Sequence, residues 1–103
     1  MTEVESQQVE PIPYSEDVDS ASERLVAILT KMDGFKSVTA ESNYVHAVFI
    51  SRIFRFADDV EFLFDDDQKI IHVRSASRVG YYDIGVNRKR IVAISNQFAD
   101  GNR

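Results

Sequence analysis

A two-layer α+β fold, in which two helices cover one face of a curved antiparallel sheet, is the architecture the sequence predicts. Three observations lead there. Residues 20–33 repeat their apolar side chains at helical spacing behind a capping signal. Residues 36–76 alternate apolar and polar positions through four short runs separated by turn residues. Residues 83–99 then return to helical spacing. The predicted order is strand, helix, four strands, helix.

Residues 1–8 are polar and acidic, and a disordered lead is expected there. In Val9–Tyr14, Pro11 and Pro13 permit only an edge strand or an extended lead, because proline donates no ladder hydrogen bond. Ser20-Ala-Ser-Glu23 has the form of a capping box, with serine at the cap and glutamate three residues on. Ala21, Leu25, Ile28, Leu29 and Met32 follow on one helical face, and Gly34 stands where a left-handed cap closes a helix. Lys36–Glu41 is a short strand that turns through Glu41-Ser-Asn43 into Tyr44–Arg52, whose Val45, Ala47 and Phe49 share one face. Asp59–Asp65 directs Val60, Phe62 and Phe64 inward. The acidic turn Asp65-Asp-Asp-Gln-Lys69 leads into Ile70–Ala76, with Ile71 and Val73 inward. Asp83 is placed to cap a last helix with Ile84, Ile91, Ile94 and Phe98 as its buried stripe. Residues 9–99 form a single domain, and a disordered tail is expected at 100–103.

The 103 residues contain no cysteine, which excludes disulfides, iron–sulfur clusters, thiolate zinc sites and a thiol nucleophile. No apolar run approaches the ~20 residues of a membrane-spanning helix. Met-Thr-Glu-Val-Glu-Ser lacks the basic and hydrophobic regions of a signal peptide, so the chain as it stands is expected in the cytoplasm. The net charge of −5 is uneven. Glu3, Glu5, Glu10, Glu16, Asp17, Asp19 and Glu23 precede the first basic residue, Arg24, so the remainder carries about +2. An acidic chain without a concentrated basic face argues against nucleic acid as a partner.

Pairing the predicted strands through their turns leaves Tyr44, His46, Val48, Ile50, Arg52, Asp59, Glu61, Leu63, Ile70, His72 and Arg74 on the outer face. Arg52 then falls near Asp59, and Glu61 near Arg74, as structural ion pairs with Asp58 also in need of a counter-charge. The apolar members of that face leave a strip that suits a ligand, a protein partner or a second copy of the chain. A second candidate site lies later. Arg74, Ser75, Ser77 and Arg78 leave a strand, Gly80 and Gly85 free the backbone around Asp83, and Arg88 follows on the last helix. Guanidinium groups, hydroxyls and a helix start are the equipment for a phosphate or carboxylate. The same arginines, Arg74, Arg78 and Arg88, also suit neutralisation of Asp58, Asp59 and Glu61.

Catalytic chemistry finds little support. No G-x-S-x-G elbow is present, and the adjacent Asp58 and Asp59 point to opposite faces of a strand, so they cannot form an acid–base pair. His46, Glu61 and His72 share the outer face and supply the one alternative, a small metal-assisted hydrolase, but their spacing does not enforce convergence. No catalytic residue, metal or cofactor is expected.

Two dense segments carry a family resemblance. Tyr44-Val-His-Ala-Val-Phe-Ile-Ser-Arg-Ile-Phe-Arg-Phe-Ala-Asp-Asp-Val-Glu-Phe62 and Ile71-His-Val-Arg-Ser-Ala-Ser-Arg-Val-Gly80, continued by Asp83-Ile-Gly-Val-Asn-Arg-Lys-Arg90, are similar to the signature stretches of domain of unknown function family 1499. The resemblance runs from about Val9 to Phe98. It implies a small soluble bacterial or plastid module, and it brings no catalytic residue with it. Members with an export or plastid-targeting region leave an exported or plastid full-length form open. In topology alone, the element order resembles the TATA-binding-protein-like or helix-grip class, from which no function follows. The expectation from the sequence is a non-enzymatic binding module, monomeric or homodimeric, for a small anionic ligand or a protein.

Overall fold

The computed structural model describes residues 6–8, 11–50, 57–77 and 84–101. Its elements are β1 (Ser6–Gln8), β2 (Ile12–Pro13), α1 (Val18–Thr30), β3 (Phe35–Glu41), β4 (Tyr44–Ile50), β5 (Ala57–Asp65), β6 (Ile70–Ser77) and α2 (Ile84–Gly101). The strands form one open antiparallel sheet in the spatial order β1-β6-β5-β4-β3, and β2 shares the β6 edge with β1. α1 lies against β3 and β4, and α2 against α1 and β6. The two-layer α+β architecture is therefore as the alternation of the sequence predicts.

The inward positions behave as period-two patterning requires. Val45, Ala47, Phe49, Val60, Phe62, Phe64, Ile71 and Val73 are buried on one face of the sheet. Against them pack Ala21, Leu25 and Leu29 of α1 and Ile91, Ile94 and Phe98 of α2, in a single core. Full burial of a Leu, Ile or Phe side chain stabilises by about 1.5–3 kcal/mol, so this cluster dominates folding. Ile84, the remaining predicted member of the α2 stripe, lies outside the residues whose side chains are described.

Besides strand ends that shift by one or two residues, with β3 opening at Phe35, β5 opening at Ala57 and β6 closing at Ser77, four boundaries differ from the sequence expectation. Three residues of the expected disordered lead, Ser6–Gln8, pair with Arg74–Ala76. Ladder bonds are made by the backbone, so a polar side-chain composition does not prevent them. Helix α1 begins at Val18 and is capped by Asp17 instead of Ser20. The Asp17 carboxylate accepts the Ser20 backbone N–H and the Ser20 hydroxyl, both at 3.0 Å. These bonds hold Asp17 below the usual carboxylate range. A carboxylate at this end also favours the helix dipole, and the earlier start adds Val18 to the core margin. The helix ends at Thr30, before the expected Asp33. Gly34 belongs to the turn into β3, with φ +83°, and its carbonyl accepts the Ile50 N–H at 2.8 Å. Helix α2 runs through Asp100 to Gly101, past the expected end at Ala99, since no breaker precedes that glycine.

Two polar anchors fix the periphery. The Arg24 guanidinium donates to Glu16 at 2.6 Å and to the Phe98 carbonyl at 2.7 Å, and it lies 3.7 Å from the Phe98 ring centroid. One side chain thus joins α1, the segment before it and the end of α2. The bond from Arg24 holds Glu16 below the usual carboxylate range. Tyr14, 4% exposed, packs edge-on against Phe64 and donates its hydroxyl to Asp66 at 2.9 Å. Burial first, and then the bond to Asp66, pushes its phenol up to about 12.

Two outcomes follow. Gly34→Ala places a Cβ 2.8 Å from the Ile50 carbonyl oxygen at a positive φ, and should lower the unfolding free energy by about 1–3 kcal/mol in urea titration. Below pH 10 the folded and unfolded chains both keep Tyr14 neutral. Between 10.0 and about 12 the unfolded chain ionises first, so stability falls as pH rises through that window. Alkaline denaturation should show that fall in the wild type and a flatter limb in Tyr14→Phe.

Candidate functional site

The face of the sheet opposite the helices carries no helix among the described residues. The register sets its side chains in rows across β4, β5 and β6. Tyr44 stands opposite Leu63 and His72, His46 opposite Glu61 and Arg74, and Val48 opposite Asp59 and Ala76. The polar contacts cross these rows on the diagonal. Tyr44 donates its hydroxyl to Glu61 at 3.0 Å, and His46 Nε2 lies 2.8 Å from Asp59 Oδ1. His72 Nε2 lies 3.6 Å from Asp65 Oδ2. Strand twist brings diagonal neighbours within reach of long and aromatic side chains. Partial burial, followed by the bond to Glu61, pushes the Tyr44 phenol above its usual value.

Apolar groups are interleaved with this ladder. Leu63 is 47% exposed, whereas Val48 is nearly covered. Tyr44, Ile50 and Ile70 are half-buried. A depression of about 340 Å³ is bordered by His46, Asp59, Glu61, Arg74, Ser75 and Ala76. The two histidines sit on strands separated by β5 and contact different carboxylates. Among the described residues, no group of three or more histidine, aspartate or glutamate side chains is placed to hold a metal ion.

A second polar cluster lies on the inner face, at the end of the sheet where β5 begins. Asp58 is fully buried opposite Phe49 and Ser77. Arg90 of α2 reaches Asp58 with Nη1 at 3.4 Å, its side chain 7% exposed. The guanidinium lies 4.4 Å from the centroid of the Phe49 ring. A planar cation that both stacks and pairs is the side chain suited to this position. Ser75 is buried on the same face.

The sequence-derived candidates are thereby distributed. Glu61 and Arg74 do face each other, and Asp58 and Asp59 do point to opposite faces. Arg74 is exposed and Ser75 buried on alternate faces of β6, so the two do not converge on one small anion. Arg88 is exposed on α2, and Ser77 is placed by its backbone register alone. Arg52, Arg78, Gly80 and Asp83 lie outside the described residues. Arg90 was missed as a partner for Asp58, although its spacing from Ile94 and Phe98, four and eight residues on, put it on the buried stripe.

The match to a family model spans residues 2–98 and is to the model described as "Protein of unknown function (DUF1499)". The chain belongs to that family. No curated protein and no solved structure matches it. DUF1499 membership agrees with the resemblance carried by the two dense segments, and both of those segments contribute strands to the ladder of the outer face.

The buried pair generates an expectation for stability. Removing one partner of a buried pair costs about 3–5 kcal/mol, because the other charge is left in a poor environment. Arg90→Met should show a loss of that order by chemical denaturation, whereas Arg88→Met on the exposed side of α2 should cost less than about 1 kcal/mol.

Proposed function

We propose that this DUF1499 domain is a non-enzymatic binding module whose working surface is the outer face of the sheet, and that its partner there is a protein. The observation that supports the reading is the combination on β4, β5 and β6 of a hydrogen-bonded polar ladder with exposed or half-exposed Leu63, Ile70 and Tyr44. Ladder groups held in fixed positions lose little further freedom on binding, and the apolar members supply the contact area. Glu41, Asp59, Glu61 and Asp65 share this face with Arg74 as its one arginine or lysine among the described residues. That balance disfavours a small anion on the outer face.

The anionic-ligand reading rests on the later cluster, of which Arg74 and Ser75 are set on opposite faces. The hydrolase alternative calls for His46, Glu61 and His72 to act together, and each contacts a different group. Neither gains an observation that favours it over a protein partner.

A photo-crosslinking residue at position 63 should yield a discrete adduct in a lysate of the source cells, and one at the equally exposed Val92 of α2 should not. The adduct should disappear on adding Ile70→Glu in a variant that keeps its melting temperature. Equal adducts at both positions, or survival of the adduct with Ile70→Glu, would remove the outer face from consideration. Clustered amide shifts at Arg74–Ser77 on titration with inorganic pyrophosphate would return the reading to an anionic ligand.

A further inference from the structure

The sheet has two edges, and they differ in kind. At one, β1 and β2 lie along β6, with Pro11 and Pro13 discouraging further strand addition. At the other, β3 runs as a proline-free strand from Phe35 to Glu41, and among the described residues no strand pairs with its far side. Every second residue of an edge strand directs its N–H and C=O away from the sheet. A bulge between Phe35 and Ser37 confines the regular part of this edge to Ser37–Glu41.

Charge is divided along the same edge. Lys36 and Glu41 are exposed at its two ends, and neither has an ion-pair partner among the described residues. At the Glu41 end, a depression of about 260 Å³ is lined by Asp19, Ser22, Glu23, Ala40, Glu41 and Ser42. At the Lys36 end lie Lys31 and Lys36, with Asp33 in the turn between them. The edge is therefore acidic at one end and basic at the other.

We propose that β3 is a self-association edge, which a second copy of this chain joins in antiparallel fashion about a two-fold axis at Thr39. Opposed residues in an antiparallel pair share a face, so a two-fold axis normal to the sheet must pass beside a residue facing its own counterpart. With Thr39 at the axis, Val38 faces Ala40 and Ser37 faces Glu41 of the other copy, and the bulge stays outside the ladder. Lys36 then falls opposite Ser42 of the other copy, at the depression formed with Asp19, Glu23 and Glu41. The same contact repeats on the far side of the axis. Stacking of two outer faces would instead bring Glu41, Asp59, Glu61 and Asp65 against one another. Edge pairing leaves that outer face accessible on both copies, so this inference stands apart from the proposed protein-binding role.

Sedimentation velocity over a concentration series reaching about 1 mM should show the intact chain passing from monomer to dimer. Lys36→Glu and Glu41→Lys should each weaken the dimer by about tenfold, because each replaces two attractive contacts with repulsive ones. An equimolar mixture of the two variants should recover the association, since each then presents the charge the other lacks. Hydrogen exchange should protect those β3 amides that do not bond to β4, in the dimer alone. A monomer throughout the series, a dimer indifferent to both reversals, failure of the mixture, or unprotected β3 amides would each overturn the assignment.

Discussion

The pairing register of β5 is the constraint on which the rest of the structure depends. This strand lies at the centre of the sheet. Its residues alternate between an inner set, Asp58, Val60, Phe62 and Phe64, and an outer set, Asp59, Glu61, Leu63 and Asp65. A slip of one residue would bury the second set of carboxylates and expose two phenylalanines, and no arrangement of helices could repair it. The same register puts Asp58 beneath α2 and Asp59 beside His46. Hydrophobic patterning and charge pairing therefore select one alignment together, and both layers take their positions from it.

Arginine does a particular job in joining these elements. Arg24 and Arg90 each lie against a phenylalanine ring, Phe98 and Phe49, while pairing with a carboxylate, Glu16 and Asp58. Apolar packing alone allows a helix to slide or rotate on a sheet at modest cost. A guanidinium that must satisfy both a ring and a carboxylate has one position in which it can do so, and this fixes α2 on the sheet through Arg90 and against α1 through Arg24.

Most of this fold was legible in the sequence, and the reason is periodicity. The alternation through Val45, Ala47 and Phe49, or Val60, Phe62 and Phe64, leaves only one face for the core, and Leu25, Leu29, Ile94 and Phe98 mark the helix stripes as clearly. What was not legible depends on partners distant in the chain. Asp17 and Ser20 both satisfy the grammar of a cap, and packing of Val18 accompanies the earlier start. Ser6–Gln8 join the sheet through backbone groups, of which side chains give no notice. Among several arginines, the choice of Arg90 for Asp58 is set by how α2 lies across β6. The candidate site was half legible: its faces followed from parity, but the diagonal contacts of Tyr44 and His46 arise from twist, which a flat pairing diagram omits.

The broken edge strand at the start of the chain has a bearing on how the protein is handled. Ser6–Gln8 and Ile12–Pro13 are the sole cover, among the described residues, for the far side of β6, a strand that contains Ile70, Ile71 and Val73. Trimming the chain to begin at the first helix would take away the core residues Ile12 and Tyr14, the Glu16 partner of Arg24 and the Asp17 cap. It would also exchange an edge guarded by two prolines for a bare, β-branched one, the kind of template on which other chains accumulate. Pro11 and Pro13 thus guard that edge, and a shortened domain would be both less stable and more prone to aggregate.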